Sequence, residues 1–269
     1  LGGARRPRGG ERMRRLFLEG LQAPVVTLAG DDAHHLLYAM RAKAGDEVVL
    51  VDDAGQVARM ELTGFTADTV TMRLIERLAA DTESPLSLVL AQCLPKGDKL
   101  EFIVQKAVEL GAVAVQPLAS RNSVVRYDAK KAAAKEKRWQ KIADEAAKQC
   151  GRTRLPAVRP IEPLTDWLAA RAARADAALL FCYENEERQP MQAALRALSA
   201  SVREITLLVG PEGGFTLAEA EAITRAGGVS VTLGPRILRA ETAAVAAMSI
   251  VQYERGDLGS EAVSLTGEA

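Results

Sequence analysis

Apolar and polar positions along the chain fall into two textures. From Arg14 to Arg77, short runs alternate apolar and polar residues: RRLFLEG, EVVLVDD, QVARMEL and DTVTMRLIERL, separated by Gly and Asp turns. A period of two predicts half-buried β-strands, because successive strand side chains point to opposite faces. One stretch with helical spacing, about residues 32–42, interrupts these runs before a turn at Gly45-Asp46. A barrel-like β module of roughly 65 residues satisfies the pattern. The polar segment ADTESP, residues 80–85, reads as a linker.

From Leu86 onward, strands and helices alternate. LSLVLAQ, bounded by Pro85 and Pro95, is continuously apolar, as a strand covered on both faces must be. Leu100, Ile103, Val104, Ala107 and Val108 then share one helical stripe, with Asp98 placed to cap it and Gly111 to end it. AVAVQPL predicts the next strand, and a long basic helix follows over about 128–149. Next come a helix at about 164–173, the strand ALLFCYE, a helix at about 191–199 and the strand EITLLVG. Thr216-Leu217-Ala218-Glu219 has capping-box spacing and opens a helix to about Ala226. VSVTL and a final helix over about 240–254 complete the set. Repeated β-α units predict a mostly parallel sheet with helices on both faces, binding its ligands beyond the carboxyl ends of the strands.

Composition narrows the class. The 269 residues are 48% apolar and 26% charged, which suits two globular domains and excludes wholesale disorder. No apolar run approaches the roughly 18 residues of a membrane-spanning helix, and LGGARRPRGG lacks the apolar stretch of a secretory signal. Cys93, Cys150 and Cys182 are odd in number and unrelated in spacing, giving neither a disulfide framework nor a metal motif. His34 and His35 are adjacent, which does not fit the i, i+4 spacing of a helical zinc site, and no GxSxG elbow is present. The expectation is a cytoplasmic protein without a metal or membrane partner.

The net charge of zero conceals segregation. Residues 1–15 hold six Arg and one Glu, residues 16–80 five basic and ten acidic, and residues 121–159 twelve basic and four acidic. Because screening confines such fields to about 8 Å, a local block attracts phosphates whatever the total charge. Basic residues continue beyond the helix, into RNSVVR before it and GRTRLP after it, so the block reads as a polyanion-binding surface rather than one solvated helix face.

Two loops at predicted strand ends concentrate glycine. LLVGPEGGF, residues 207–215, leads into the capped helix; LGPRILRAETAA, residues 233–244, places Arg236 and Arg239 around two apolar residues before a helix rich in alanine. Glycine permits positive φ and close approach of main chain to a ligand, though each loop alone is equally a tight turn.

Taken together, GPEGGF followed by LGPRILRAETA resembles the ribosomal RNA uracil-N3 methyltransferases of the SPOUT superfamily. QCLPKGDKLEFIVQKAVELGAVAVQPL, RNSVVR, the W…EAAKQCGR…LP stretch at Trp139–Pro156 and HHLLYAMRAKAGDEV extend the resemblance over about Arg14 to Glu254. Departures are Tyr38-Ala39, Cys150, and residues 1–12, which read as an extension before a start at Met13.

The resemblance implies an α/β fold: a trefoil-knotted SPOUT methyltransferase domain over 84–256, preceded by a PUA-like β-barrel over 13–80 and followed by a flexible tail over 257–269. It implies a homodimer that uses S-adenosyl-L-methionine and acts on 16S ribosomal RNA or the small ribosomal subunit. Carried over by position, the cofactor-binding residues are Phe181, Tyr183, Glu184, Val209, Gly210, Pro211, Glu212, Gly213, Gly214, Leu233, Gly234, Ile237, Leu238, Arg239, Thr242 and Ala243. RNA-binding candidates are Arg14, Arg15, His34, His35, Arg41, Arg121, Arg126, Lys130, Arg152 and Arg154.

Uracil N3 is a poor nucleophile while it keeps its proton, so a site must stabilise the anion that spreads onto O2 and O4. Arg239 and Arg236 are candidates for this, as are Arg121 and Arg126; Glu241 or Glu212 is a candidate base. Each carboxylate serves equally as a partner for amides at a helix start. Alternatives are a related enzyme methylating ribose 2′-O or another RNA base, and an RNA-binding protein with an inactive knotted domain.

Overall fold

The alternating runs of the N-terminal segment form one curled sheet in the computed structural model, which describes residues 15–18, 23–39, 41–79, 82–171 and 174–259. Its strands are β1 (Arg15–Leu18), β2 (Val25–Ala29), β3 (Glu47–Asp52), β4 (Val57–Phe65) and β5 (Thr69–Leu78), in the order β1-β3-β4-β5-β2. β1 lies parallel to β3 and the other pairs are antiparallel. Register shifts in the β4–β5 pair at Arg59/Met60 and Leu62/Gly64 mark bulges, which bend a sheet toward a barrel-like curl. Leu16, Leu28, Leu36, Leu50, Met60, Leu62 and Met72 fill the concave side. β2 had no signature in the sequence, because Leu28 is its only buried residue and the strand therefore does not alternate cleanly. The helical stretch is shorter than its pattern: α1 (Asp31–His34) continues as a π-turn over His35–Ala39, and Arg41 at φ 50 turns the chain away.

This unit extends through Thr82 and also takes in Gly151–Arg154. Arg15 is 8% exposed; its guanidinium donates to the carbonyls of Gly151 and Arg152, and the Thr82 hydroxyl donates to the Gly151 carbonyl at 2.7 Å.

The second unit, Glu83–Cys150 with Leu155–Glu261, is the α/β part. Its strands are β6 (Ser87–Cys93), β7 (Ala112–Ala119), β8 (Ala157–Val158), β9 (Glu162–Pro163), β10 (Ala177–Cys182), β11 (Glu204–Val209) and β12 (Gly228–Val231). All pair in parallel, in the order β12-β10-β11-β6-β7-β8, with β9 also on β7. The helices are α2 (Lys99–Glu109), α3 (Ala129–Cys150), α4 (Leu164–Ala169), α5 (Met191–Ala197), α6 (Leu217–Arg225) and α7 (Ala240–Arg255). Alternate strand residues serve two cores. Ala91, Cys93, Leu179, Phe181 and Leu208 pack with Leu164, Trp167, Ala220 and Ile223 of α4 and α6. α2 and α7 cover other parts of the sheet and pack on each other, and α3 packs on α2.

Asp98 stands at the start of α2, but no side-chain cap forms there; its carboxylate instead accepts from Lys135 at 3.1 Å. The Thr216–Glu219 capping box forms in full. The buried Gln252 fastens α7, donating to the Leu110 carbonyl at 2.9 Å and accepting from Ser84 at 2.9 Å.

Candidate active site

β10, β11 and β12 finish level, with Cys182 opposite both Val209 and Val231. The loops that follow these strands therefore open at one sheet edge, the carboxyl edge where open α/β sheets bind ligands.

The loop after β11 is held from several sides. Gln92, fully buried at the end of β6, donates to the carbonyls of Val209 at 3.3 Å and Gly210 at 3.2 Å. Asn122 donates to the carbonyls of Gly213 at 2.8 Å and Gly214 at 3.2 Å. Glu219 closes the cap of α6 and accepts the Arg121 amide at 2.8 Å, so the loop after β7 is tied to the same helix start. The left-handed residue is Gly214 at φ 62, not Gly213. A side chain at Gly213 would instead meet Asn122 Cβ at 3.1 Å, while one at Gly214 would meet Glu184 Oε1 at 2.6 Å.

The loop after β12 turns at Gly234, φ 108, where a Cβ would meet nothing within 4 Å. Main chain is thus open to the edge at this point. Arg236, Ile237 and Arg239 are exposed, Ile237 at 91%, and neither guanidinium has an ion-pair partner among the described residues. Arg239 is the residue before α7, with Glu241, Thr242 and Ala243 in the first turn. After β10, the Tyr183 ring lies 5.9 Å from Phe181, and Glu186 accepts from Ser230 and from the amides of Arg188 and Gln189.

Two carboxylates meet one lysine here. Glu212 accepts the Lys96 amide on both oxygens at 3.2 Å and the Lys99 ammonium at 2.8 Å, and Lys99 lies 3.3 Å from Glu241. Burial works to raise the Glu212 carboxyl, but Lys99 and the amides outweigh it and leave it below the ordinary carboxylate value. The Lys99 ammonium is held above the ordinary lysine value, chiefly by its hydrogen bond to Glu212 against some desolvation, with Glu241 adding to it. Glu212 thus reaches to the β6–α2 turn. Burial pushes the Cys93 thiol up to about 12, which makes it inert as a nucleophile.

The edge brings together most of the cofactor residues carried over by position. Phe181 and Val209, however, are 1% and 2% exposed and face the core, so only their main chain reaches the edge. Pro211 is also buried. Leu233 and Gly234 line a cleft of about 620 Å³ that continues along Met191, Ile250, Tyr253 and Leu258.

The RNA-binding candidates divide between the units. In the first, His34, His35, Arg41 and Arg154 are exposed, whereas Arg15 and Arg152 are 8% and 4% exposed and present no guanidinium to a polyanion; Arg14 lies outside the described residues. In the second, Arg121, Arg126 and Lys130 are exposed. Helix α3 sorts its charges: Lys135 and Arg138 are neutralised by Asp98 and Glu101, while Lys130, Lys137 and Lys141 have no ion-pair partner among the described residues. Sequence reasoning missed Gln92, Lys99 and Asn122 as the side chains that bond the loop after β11. The only signal for them was their place at the carboxyl ends of β6 and β7. Among the described residues, no cluster of His, Cys, Asp or Glu suits a metal ion, and no helix is long and apolar enough to cross a membrane.

A parallel sheet whose glycine-opened loops share one edge, in a chain that also contains a small curled β unit, is the architecture of an RNA methyltransferase with a PUA domain. The family model for the RNA methyltransferase domain matches residues 82–252, and that for the RNA methyltransferase PUA domain matches residues 28–75. The chain belongs to this RNA methyltransferase family, among the proteins named ribosomal RNA small subunit methyltransferase E. It is 38% identical to that protein of Bacillus subtilis over 91% of this chain and 100% of the relative. It is 36% identical to that of Synechocystis sp. over 83% of this chain and 71% of the relative. The crystal structure of the Neisseria gonorrhoeae protein of that name, bound to S-adenosyl methionine, superposes with a TM-score of 0.81 at 33% identity, covering 91% of this chain and 99% of that one.

Proposed function

We propose that this chain is a cytoplasmic, homodimeric methyltransferase that uses S-adenosylmethionine to methylate N3 of one uridine in the decoding region of 16S ribosomal RNA. The observation that carries the reading is the level finish of β10, β11 and β12, which gathers Glu184, Gly210–Gly214 and Leu233–Leu238 at one edge. The cofactor fits the residues present. Open main chain at Gly234 and the exposed Ile237 beside Leu238 suit a purine, and the polar side of the edge offers Glu184 and the amides before α6. When bound, it supplies a methyl carbon activated by a sulfonium.

The protein's part is placement and charge. Holding the uracil N3 in line with its reaction partner supplies much of the rate. Arg236 and Arg239 favour the N3 anion delocalised onto O2 and O4, and Glu241, in the turn that Arg239 precedes, receives the proton. His34, His35 and Arg41 of the first unit, with Arg121, Arg126 and Lys130 of the second, contact the RNA backbone. The apolar cleft along α7, with Tyr253 69% exposed, supports burial by a second copy. The knot implied by the resemblance belongs to the same reading, in which α7 returns against α2, β6 and β11. Mass spectrometry of ribosomal nucleosides from a deletion strain tests it. Loss of 3-methyluridine alone is the expected result; loss of a 2′-O-methyl nucleoside instead overturns it.

A further inference from the structure

The β6–α2 turn, the loop after β11 and the first turn of α7 come from distant parts of the sequence, yet one ammonium joins them. Lys99 is the first residue of α2. Its Nζ lies 2.8 Å from Glu212 Oε1 and 3.3 Å from Glu241 Oε2, and the neighbouring Lys96 amide donates to both Glu212 oxygens at 3.2 Å. The Lys99, Glu212 and Glu241 side chains are 31%, 25% and 20% exposed, so the contact is largely sheltered from screening. Glu241 Oε2 is shielded from water and accepts no hydrogen bond, so Lys99 is the counterion that compensates it. Along α2 the next lysine, Lys106, pairs with Glu109 of its own helix.

We propose that Lys99 is a positioning residue: its ammonium clamps the Glu212 loop to the start of α7 and so fixes the spacing between the two glycine-opened loops that receive the methyl donor. The inference rests on the proposed function and deepens it. Lys99 acts through Glu212 and Glu241. Without it, two carboxylates face each other with no cation between them and repel, and the loops separate. A site built from two loops binds its ligand in proportion to the fraction of molecules in which both are correctly spaced.

The test compares Lys99→Met, Lys99→Arg and Lys106→Met with the unaltered full chain. Titration calorimetry with S-adenosylmethionine is read together with hydrogen exchange in the ligand-free protein. The expected result for Lys99→Met is a dissociation constant raised roughly 5- to 30-fold, the range for stranding one member of a partly buried charge pair. Exchange rises in 210–216 and in the first turn of α7, while the protection of β6 and β11 stays unchanged. Lys99→Arg restores most of both effects, and Lys106→Met produces neither. An unchanged dissociation constant with unchanged exchange in Lys99→Met overturns the clamp, as does uniform loss of protection across the sheet, which would make Lys99 a general stabiliser. Absence of saturable binding by the unaltered chain overturns the proposed function itself, and the exchange arm still reports on the clamp.

Discussion

Replacing Gly214 by alanine isolates what the left-handed residue contributes. At φ 62, an L residue costs about 1–2 kcal/mol relative to glycine. A new Cβ there would also stand 2.6 Å from Glu184 Oε1 and 2.9 Å from Glu184 Cδ, so the carboxylate must rotate away. That side chain is exposed and can move, so the backbone term dominates. If the binding-competent loop is depopulated by about 1–2 kcal/mol, the apparent dissociation constant for S-adenosylmethionine rises roughly 5- to 30-fold. Gly227 is the matched control: φ 86, nothing within 4 Å of a Cβ, and a position between α6 and β12. Gly227→Ala carries the same backbone cost and lowers thermal stability without weakening binding. Calorimetric titration of both variants decides the matter. Gly214→Ala binding within twofold of the unaltered chain refutes the reasoning, and equal weakening in Gly227→Ala shows that global stability, not the loop, is being measured.

Two further outcomes follow from the charges. The Glu186 carboxyl is held below its ordinary value of 4.5, first by the Ser230 hydroxyl and then by the Arg188 and Gln189 amides. Its stabilisation is therefore complete above the unfolded value and is lost as pH falls through the folded one. The difference in melting temperature between the unaltered chain and Glu186→Gln is accordingly largest near neutrality and shrinks below about pH 4.5; a constant difference would falsify this. Arg126→Gln weakens RNA binding and lowers the slope of log affinity against log salt by roughly 0.7–0.9, whereas Arg138→Gln, already paired with Glu101 at 2.7 Å, changes it by less than half as much. Equal slopes for the two variants place Arg126 off the phosphate path.

Most of the α/β unit was legible because its strands are buried on both faces and its helices carry one apolar stripe. The apolar runs ending at Gln92, Leu118 and Gly210 needed only their Pro and Gly boundaries to be read as strands, and the observed strands end within a residue of those limits. Legibility failed where burial was sparse. β2 exposes most of its residues, and β8 and β9 are two residues each, too short for any period to register. The assignment of Gly151–Arg154 to the first unit was invisible for another reason. The basic run GRTR signals charge, but what decides its place is the Arg15 guanidinium bonding the carbonyls of Gly151 and Arg152, a contact across more than a hundred residues.

The same distinction governs the site. Glycine at 213–214 and 234 marked the loops, since an open main chain is a local property written in residue type. Which glycine needed positive φ, and which side chains anchored the loops, were not local. Asn122 follows β7, Gln92 lies at the end of β6 and Lys99 follows it; all are far from the loop after β11 in sequence and meet it because the parallel order brings those carboxyl ends to one edge. The charge block at 121–159 misled in a similar way. Counting gave an excess of cations, yet Glu101 of α2 and Asp98 just before it consume Lys135 and Arg138, and Arg152 is buried. What remains for a polyanion includes the outer stripe of Lys130, Lys137 and Lys141 together with the exposed Arg121 and Arg126 before the helix and Arg154 and Arg159 after it. Spacings of seven and four residues put the three lysines on one face of the helix. The cationic field this helix offers is therefore narrower than the composition implied, and its direction is set by how α3 packs on α2.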